Sequence, residues 1–271
     1  MSNPNQELWE KGDFTRIAET MRASGAEFVS RLDVQRGMKV LDLGCGDGTT
    51  ALPSARLGAD VVGIDIAANL VAAGNKRAEE EGLANCRFET GDASHLDGVP
   101  DQSFDLVVSV FGAMFAPSPY DVAKEMVRVT RPDGRIAMGN WIPGDPTLVA
   151  QILRIASAYS PPPPEGFVSP MTWGVEDEVR NRFGEAGIAN ESMDFARVEY
   201  RFEYEGSPTD FLGLFRDYYG PTMNAYAAAE ANGKADVLHD ELSELFTSQN
   251  SSSDPARTSI GATCLQVTVT V

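Results

Sequence analysis

Asp42, Gly44, Gly46 and Gly48 stand at alternate positions in VLDLGCGDGTT, Val40 to Thr50. That spacing puts one carboxylate and three unsubstituted backbone units into a single turn. Glycine adopts left-handed backbone angles and lets a ligand touch the main chain. A strand that ends in such a run and passes into a helix offers its N–H groups at the carboxyl edge of a parallel sheet, where open α/β folds bind ligands. The dinucleotide fingerprint G-x-G-x-x-G would need a third glycine at Thr49, and a phosphate loop would need a closing Gly-Lys-Ser/Thr that is missing here. Asp42 suits a ligand bearing an ammonium or sulfonium better than one bearing a pyrophosphate. Two more acids close strand-like runs: Asp65 ends VVGID, and Asp92 follows CRFETG.

The elements that must hold these residues are legible as short β-branched runs alternating with helical patterns. KVLDL, DVVGID, CRFET, FDLVVSV and RIAMGNW read as five parallel strands of βαβ units, with RPDG (Arg131 to Gly134) stopping the helix before the fifth. Further on, Val198, Tyr200, Phe202 and Tyr204 alternate with Glu199, Arg201 and Glu203, and Leu265, Val267, Val269 and Val271 alternate with Gln266, Thr268 and Thr270. Such alternation marks antiparallel pairing near a sheet edge. Between them lie two helical stretches, about Pro208 to Glu230 and Lys234 to Ser248. SPPPPEG (Ser160 to Gly166) reads as a polyproline II spacer.

With these residues in view, the chain resembles the class I S-adenosylmethionine-dependent methyltransferases, and most closely the broad group containing the ubiquinone and menaquinone biosynthetic enzymes. VLDLGCGDGTT resembles the family's first motif, and the resemblance runs motif by motif from about Met38 to Trp141. It implies a Rossmann-like α/β fold with a seven-stranded, mostly parallel sheet, an antiparallel last strand and a helical cap. It implies S-adenosyl-L-methionine as cofactor, held by Asp42, Gly44, Cys45, Gly46, Gly48, Asp65, Ile66, Asp92, Ala93 and Ser109. In that reading Asp65 accepts from the ribose hydroxyls, Asp92 from the adenine amino group, and Ala93 offers its N–H to the ring. One domain is expected, divided into an N-terminal lid (1–24), a cofactor-binding core (25–142), a connector with the sixth strand (143–207), inserted cap helices (208–250) and the last strand (257–271). Trp9 and Phe14 fall where other members set an aromatic against the cofactor.

The stretch SVFGAMFAP, Ser109 to Pro117, occupies the place of class-specific chemistry. It carries neither the Asn/Asp-Pro-Pro-Tyr of amino methyltransferases nor the Pro-Cys of cytosine C5 enzymes, and it is apolar. Phe111, Met114, Phe115, Trp141, Trp173, Tyr218 and Tyr219 are therefore expected to wall a substrate pocket. No catalytic base stands out; His95, Tyr218 and Tyr219 are the candidates, while His239 reads as a solvated or capping residue. The expected reaction is in-line methyl transfer to a small, partly apolar molecule. A non-catalytic S-adenosylmethionine-binding regulator would carry the same cofactor motifs, and a nucleotide-dependent oxidoreductase is opposed by Thr49.

Charge and composition narrow the partners. Lys plus Arg number 22 against 40 Asp plus Glu, a net charge of −18, which opposes approach to nucleic acid or an anionic lipid surface. The three cysteines, Cys45, Cys86 and Cys264, are too scattered for a disulfide framework and no pair has metal-ligand spacing, so no metal is expected. No apolar run is long enough to span a bilayer and the N-terminus lacks a signal-peptide pattern, which points to the cytoplasm.

Overall fold

A computed structural model describes residues 6–162 and 165–271. Seven strands, β1 (Lys39–Leu43), β2 (Asp60–Asp65), β3 (Cys86–Thr90), β4 (Phe104–Val110), β5 (Thr130–Trp141), β6 (Met193–Tyr204) and β7 (Thr258–Thr270), form one sheet in the order β3-β2-β1-β4-β5-β7-β6. β1 to β5 pair in parallel, and β7 runs antiparallel to both β5 and β6. Central strand β1 is apolar along nearly its whole length because both of its faces are covered, and Val40, Leu41 and Leu43 are buried. The sheet order reverses at β1, between β2 and β4, so the carboxyl ends of these three strands open a crevice.

Eleven α-helices cover the sheet among the described residues: α1 (Gln6–Lys11), α2 (Thr15–Glu19), α3 (Arg22–Ser30), α4 (Ala51–Arg56), α5 (Ala68–Glu80), α6 (Pro119–Val129), α7 (Leu148–Tyr159), α8 (Glu176–Glu185), α9 (Pro208–Tyr218), α10 (Gly220–Ala231) and α11 (Ala235–Gln249). In α6, Val122, Ala123, Met126 and Val129 recur at helical spacing and are buried. The turn after it needs a left-handed residue, which Asp133 supplies at φ 61°. α3 crosses the expected boundary between 24 and 25.

The cap differs from the expectation in one respect that matters for the site. It holds three helices where two were expected, because the chain breaks at Tyr219. Pro221 lacks an N–H and its ring clashes with the carbonyl four residues back, so α9 cannot run through it, and Pro221 stands instead in the first turn of α10. Tyr219 accordingly takes an extended conformation, φ −96°, ψ 107°, between α9 and α10. α7, unforeseen in the connector, packs on α10 and α11, and α8 packs on α6. Of the expected proline spacer, Pro163 and Pro164 lie outside the described residues.

Candidate active site

The crevice holds a cavity of about 1160 Å³, its open mouth included. One end is lined by the glycine loop and the ends of β2 and β3; the other is lined by aromatic side chains from the N-terminal helices, the β4 exit and the cap. Among the expected cofactor residues, Gly44, Cys45, Gly46, Asp65, Ile66, Asp92 and Ala93 line it.

The three loop glycines all have positive φ, and each is required for a different reason. A Cβ on Gly44 would lie 2.6 Å from the backbone of Gly112, so this residue lets the β1 and β4 exits cross. A Cβ on Gly48 would lie 2.7 Å from the Phe88 ring, so Gly48 serves packing and does not line the cavity. Gly46 differs: apart from its two chain neighbours, nothing in the protein lies within 4 Å of its Cβ position. Its missing side chain leaves part of the cavity open.

Asp65 ties the loop to β2. Its carboxylate accepts from the N–H of Gly46 at 2.8 Å and from that of Ala67 at 2.9 Å. Burial raises its pKa, and the backbone donors work against that rise. Asp92 accepts from Ser94 N–H at 2.8 Å in an Asx turn.

Asp42 and Ser109 do not reach the cavity and act one layer behind it. Thr50, which does line the cavity, donates its hydroxyl to Asp42 at 2.5 Å, while the other Asp42 oxygen has no partner among the described residues. Ser109 donates to Leu43 O at 2.6 Å and accepts from Ala113 N–H at 3.0 Å, clamping the β4 exit to β1. Burial, reinforced by the Asp65 charge and opposed by the Thr50 hydrogen bond, pushes Asp42 up to about 7. Between about pH 4, where an unfolded aspartate titrates, and that value the folded chain holds a proton the unfolded chain has lost. This contribution to stability is full below about pH 4 and declines as pH rises through about 7, by on the order of 4 kcal/mol. Asp42→Asn is expected to flatten the decline in the ligand-free protein, as read from denaturation midpoints across that range.

An ion cluster absent from the expectations frames the loop. Asp47, between Gly46 and Gly48, lines the cavity, is 2% exposed, and is paired with Arg22 of α3 and Arg77 of α5. Arg77 also donates to Asp47 O at 2.5 Å, and Arg22 to the Thr49 hydroxyl. No sequence signal links these residues, because the partners lie on separate helices.

At the aromatic end, four of the residues expected at the site, Met114, Trp173, Tyr218 and His95, do not line the cavity. Phe111, Phe115, Trp141 and Tyr219 line the cavity with Trp9, Phe14, Phe202 and Phe215. Trp9 meets Phe115 at 4.9 Å between centroids and Phe14 at 5.6 Å, so the N-terminal helices close over the β4 exit. Phe111 stands at φ 56°, an uncommon conformation for a bulky residue that costs about 1–3 kcal/mol. Its ring is stacked on Trp141, with centroids 3.5 Å apart, and its N–H donates to Gly139 O at 2.9 Å. Met114 is instead core, 1% exposed. Trp173 is buried away from the cavity under the Arg182 guanidinium, 4.6 Å from its ring. Tyr218, ending α9 before the break, faces an outer cleft shared with His239. His95 is also outside, an exposed residue paired with Asp97 at 3.1 Å. His239 contacts the Tyr226 hydroxyl at 2.8 Å, so neither histidine reaches the cavity.

Residues 41–138 match the family profile described as a methyltransferase domain. Rv1403c, an uncharacterised protein of Mycobacterium tuberculosis, is 31% identical over 243 residues, which cover 89% of this chain and 86% of its own. Nocamycin O-methyltransferase of Saccharothrix syringae is 37% identical over 141 residues, 48% of this chain and 50% of that enzyme. Phosphoethanolamine N-methyltransferase 2 of Haemonchus contortus, solved in complex with S-adenosyl-L-methionine, shares the fold with a TM-score of 0.62 at 14% identity, covering 100% of this chain and 60% of that one. The fold and the glycine-loop crevice define a Rossmann-like methyltransferase. The chain belongs to the class I S-adenosylmethionine-dependent methyltransferases, an enzyme family, with S-adenosylmethionine as cofactor. Among the described residues no helix is long and apolar enough to cross a membrane.

Proposed function

We propose that this enzyme methylates a small, partly apolar, ring-bearing molecule, and that the cavity's two ends divide the work. The observation that carries this reading is that division: open glycine backbone and carboxylates at one end, packed aromatic rings at the other. The cofactor fits the first end, because the space beside Gly46 is open and Asp65 is fixed by two backbone donors with lone pairs to spare. In this reading Asp65 accepts from the ribose hydroxyls, Asp92 from the adenine amino group, the Ala93 N–H meets the ring, and the backbone from Gly44 to Gly46 borders the amino-acid moiety. Asp42, Gly48 and Ser109 shape that surface from behind.

When bound, the sulfonium supplies an electrophilic methyl group. The protein's share is then positioning, which can supply on the order of 7–11 kcal/mol of the barrier. Phe111, Phe115, Trp141 and Phe215 hold a flat apolar acceptor and exclude water. Tyr219 lines this end, and burial raises its pKa, so it orients the acceptor as a neutral phenol and does not take its proton. The relative named for O-methylation of nocamycin supports a small-molecule acceptor, as does the net charge of −18 against nucleic acid. Three buried, unpaired thiols suit a reducing cytoplasm.

Incubation with methyl-labelled S-adenosylmethionine and a panel of phenols, enols and apolar amines, beside peptides and RNA, tests this. Label is expected in the small-molecule fraction; label confined to peptide or RNA would refute it. Phe111→Ala is expected to lower transfer by roughly 10²-fold through misplacement of the acceptor. Its S-adenosylhomocysteine affinity should stay within about twofold by calorimetry, because the ring belongs to the acceptor end.

A further inference from the structure

Tyr200 lines the cavity from edge strand β6, a strand that has no part in the cofactor motifs. It is 2% exposed, and its hydroxyl has no hydrogen-bond partner among the described residues. A buried hydroxyl without a partner is costly, and native structures keep few of them without a purpose.

Several features bring this hydroxyl to the glycine loop. β6 is fastened to the start of α3: Ser24 Oγ donates to Arg201 O at 2.9 Å and accepts from Arg201 N–H at 2.8 Å, and Glu203 N–H donates to Thr20 O at 2.9 Å. Gly25 stands within α3, where glycine weakens a helix. A Cβ there would lie 2.5 Å from Thr49 Cγ2 and 3.0 Å from the Tyr200 hydroxyl oxygen. Gly25 thus permits α3, the loop and Tyr200 to meet. The Phe111 ring stands edge-on to Tyr200, with centroids 4.9 Å apart. Thr49, beside the hydroxyl, also lines the cavity and accepts from Arg22.

We propose that the Tyr200 hydroxyl is a cofactor-positioning group that donates a hydrogen bond to the carboxylate of the amino-acid moiety of S-adenosylmethionine. This rests on the cofactor placement proposed above. Burial raises the phenol's pKa, so it stays a donor at neutral pH. A hydrogen bond to a carboxylate satisfies it when the cofactor is bound, and fixes the end of the cofactor farthest from adenine.

The test compares two ligands by calorimetry: S-adenosylhomocysteine, and 5′-methylthioadenosine, which lacks the amino-acid moiety. Tyr200→Phe is expected to weaken S-adenosylhomocysteine about tenfold or more and to leave 5′-methylthioadenosine within about twofold. The melting temperature of the ligand-free variant should be unchanged or raised, because the substitution removes an unpaired polar atom. Tyr204→Phe, on the same strand and outside the cavity, should change neither affinity. Unchanged S-adenosylhomocysteine binding, or equal weakening of both ligands, would overturn the assignment of Tyr200. Failure of the parent protein to bind either ligand would overturn the cofactor placement with it.

Discussion

Asp65→Ala is expected to weaken S-adenosylhomocysteine by about 10²–10⁴-fold, since two hydrogen bonds to a charged acceptor are each worth roughly 1.5–3 kcal/mol. The loss has two sources. The ribose hydroxyls lose their acceptor, and the N–H groups of Gly46 and Ala67 lose the carboxylate that fixes the loop against β2. Asp65→Asn keeps the shape and one acceptor oxygen, so it should fall between the parent and Asp65→Ala. Burial raises this carboxylate's pKa. Affinity should therefore fall with acidification sooner than it would for an exposed aspartate. Isothermal titration of the variant settles the matter: affinity within about twofold of the parent means that the ribose does not sit on Asp65.

Gly46→Val is expected to abolish detectable cofactor binding while the protein still folds. The Cβ position faces open space, so the new side chain meets cofactor before it meets protein. Its left-handed backbone, φ 54°, adds a strain of about 1–3 kcal/mol, which an enzyme of this size tolerates. Gly44→Ala makes the contrast, because its Cβ would press on the Gly112 backbone at 2.6 Å. That variant should lose melting temperature, whereas Gly46→Val should lose ligand-induced stabilisation. Thermal denaturation with and without S-adenosylhomocysteine separates the two, and a reversed pattern would show that the roles of the two glycines are exchanged.

The sequence carried the five parallel strands, the antiparallel last strand and the carboxylate ending β2, because each rests on local signals: β-branched runs, strict alternation, glycine after a strand. What it could not carry was decided by distant parts of the chain. Met114 and Phe115 are adjacent and equally apolar, yet one packs in the core and the other lines the cavity. Hydrophobicity states that a residue is buried, not against what. Tyr218 and Tyr219 part company because Pro221 stops α9 from running on, leaving Tyr218 on its last turn and Tyr219 in the break before α10, a turn whose consequence is legible only once α9 is placed. Trp173 had the right chemistry on the wrong layer, under Arg182. Asp47 lies within the quoted motif, but Arg22 and Arg77 reach it from separate helices, and no spacing rule connects them. Tyr200 was legible as an inward residue of β6; that its hydroxyl comes to the glycine loop depends on the Ser24 contacts and on Gly25.

The central claim is that the space beside Gly46 and Asp65 is the S-adenosylmethionine site. Its most direct test is calorimetric titration of the purified protein with S-adenosylhomocysteine, with NAD as the control ligand, repeated on Gly46→Val. The parent should bind S-adenosylhomocysteine saturably and one-to-one, the folded variant should not bind it, and neither should bind NAD. Undiminished binding of S-adenosylhomocysteine by a folded Gly46→Val protein would contradict it, because the cofactor would then lie elsewhere in the molecule.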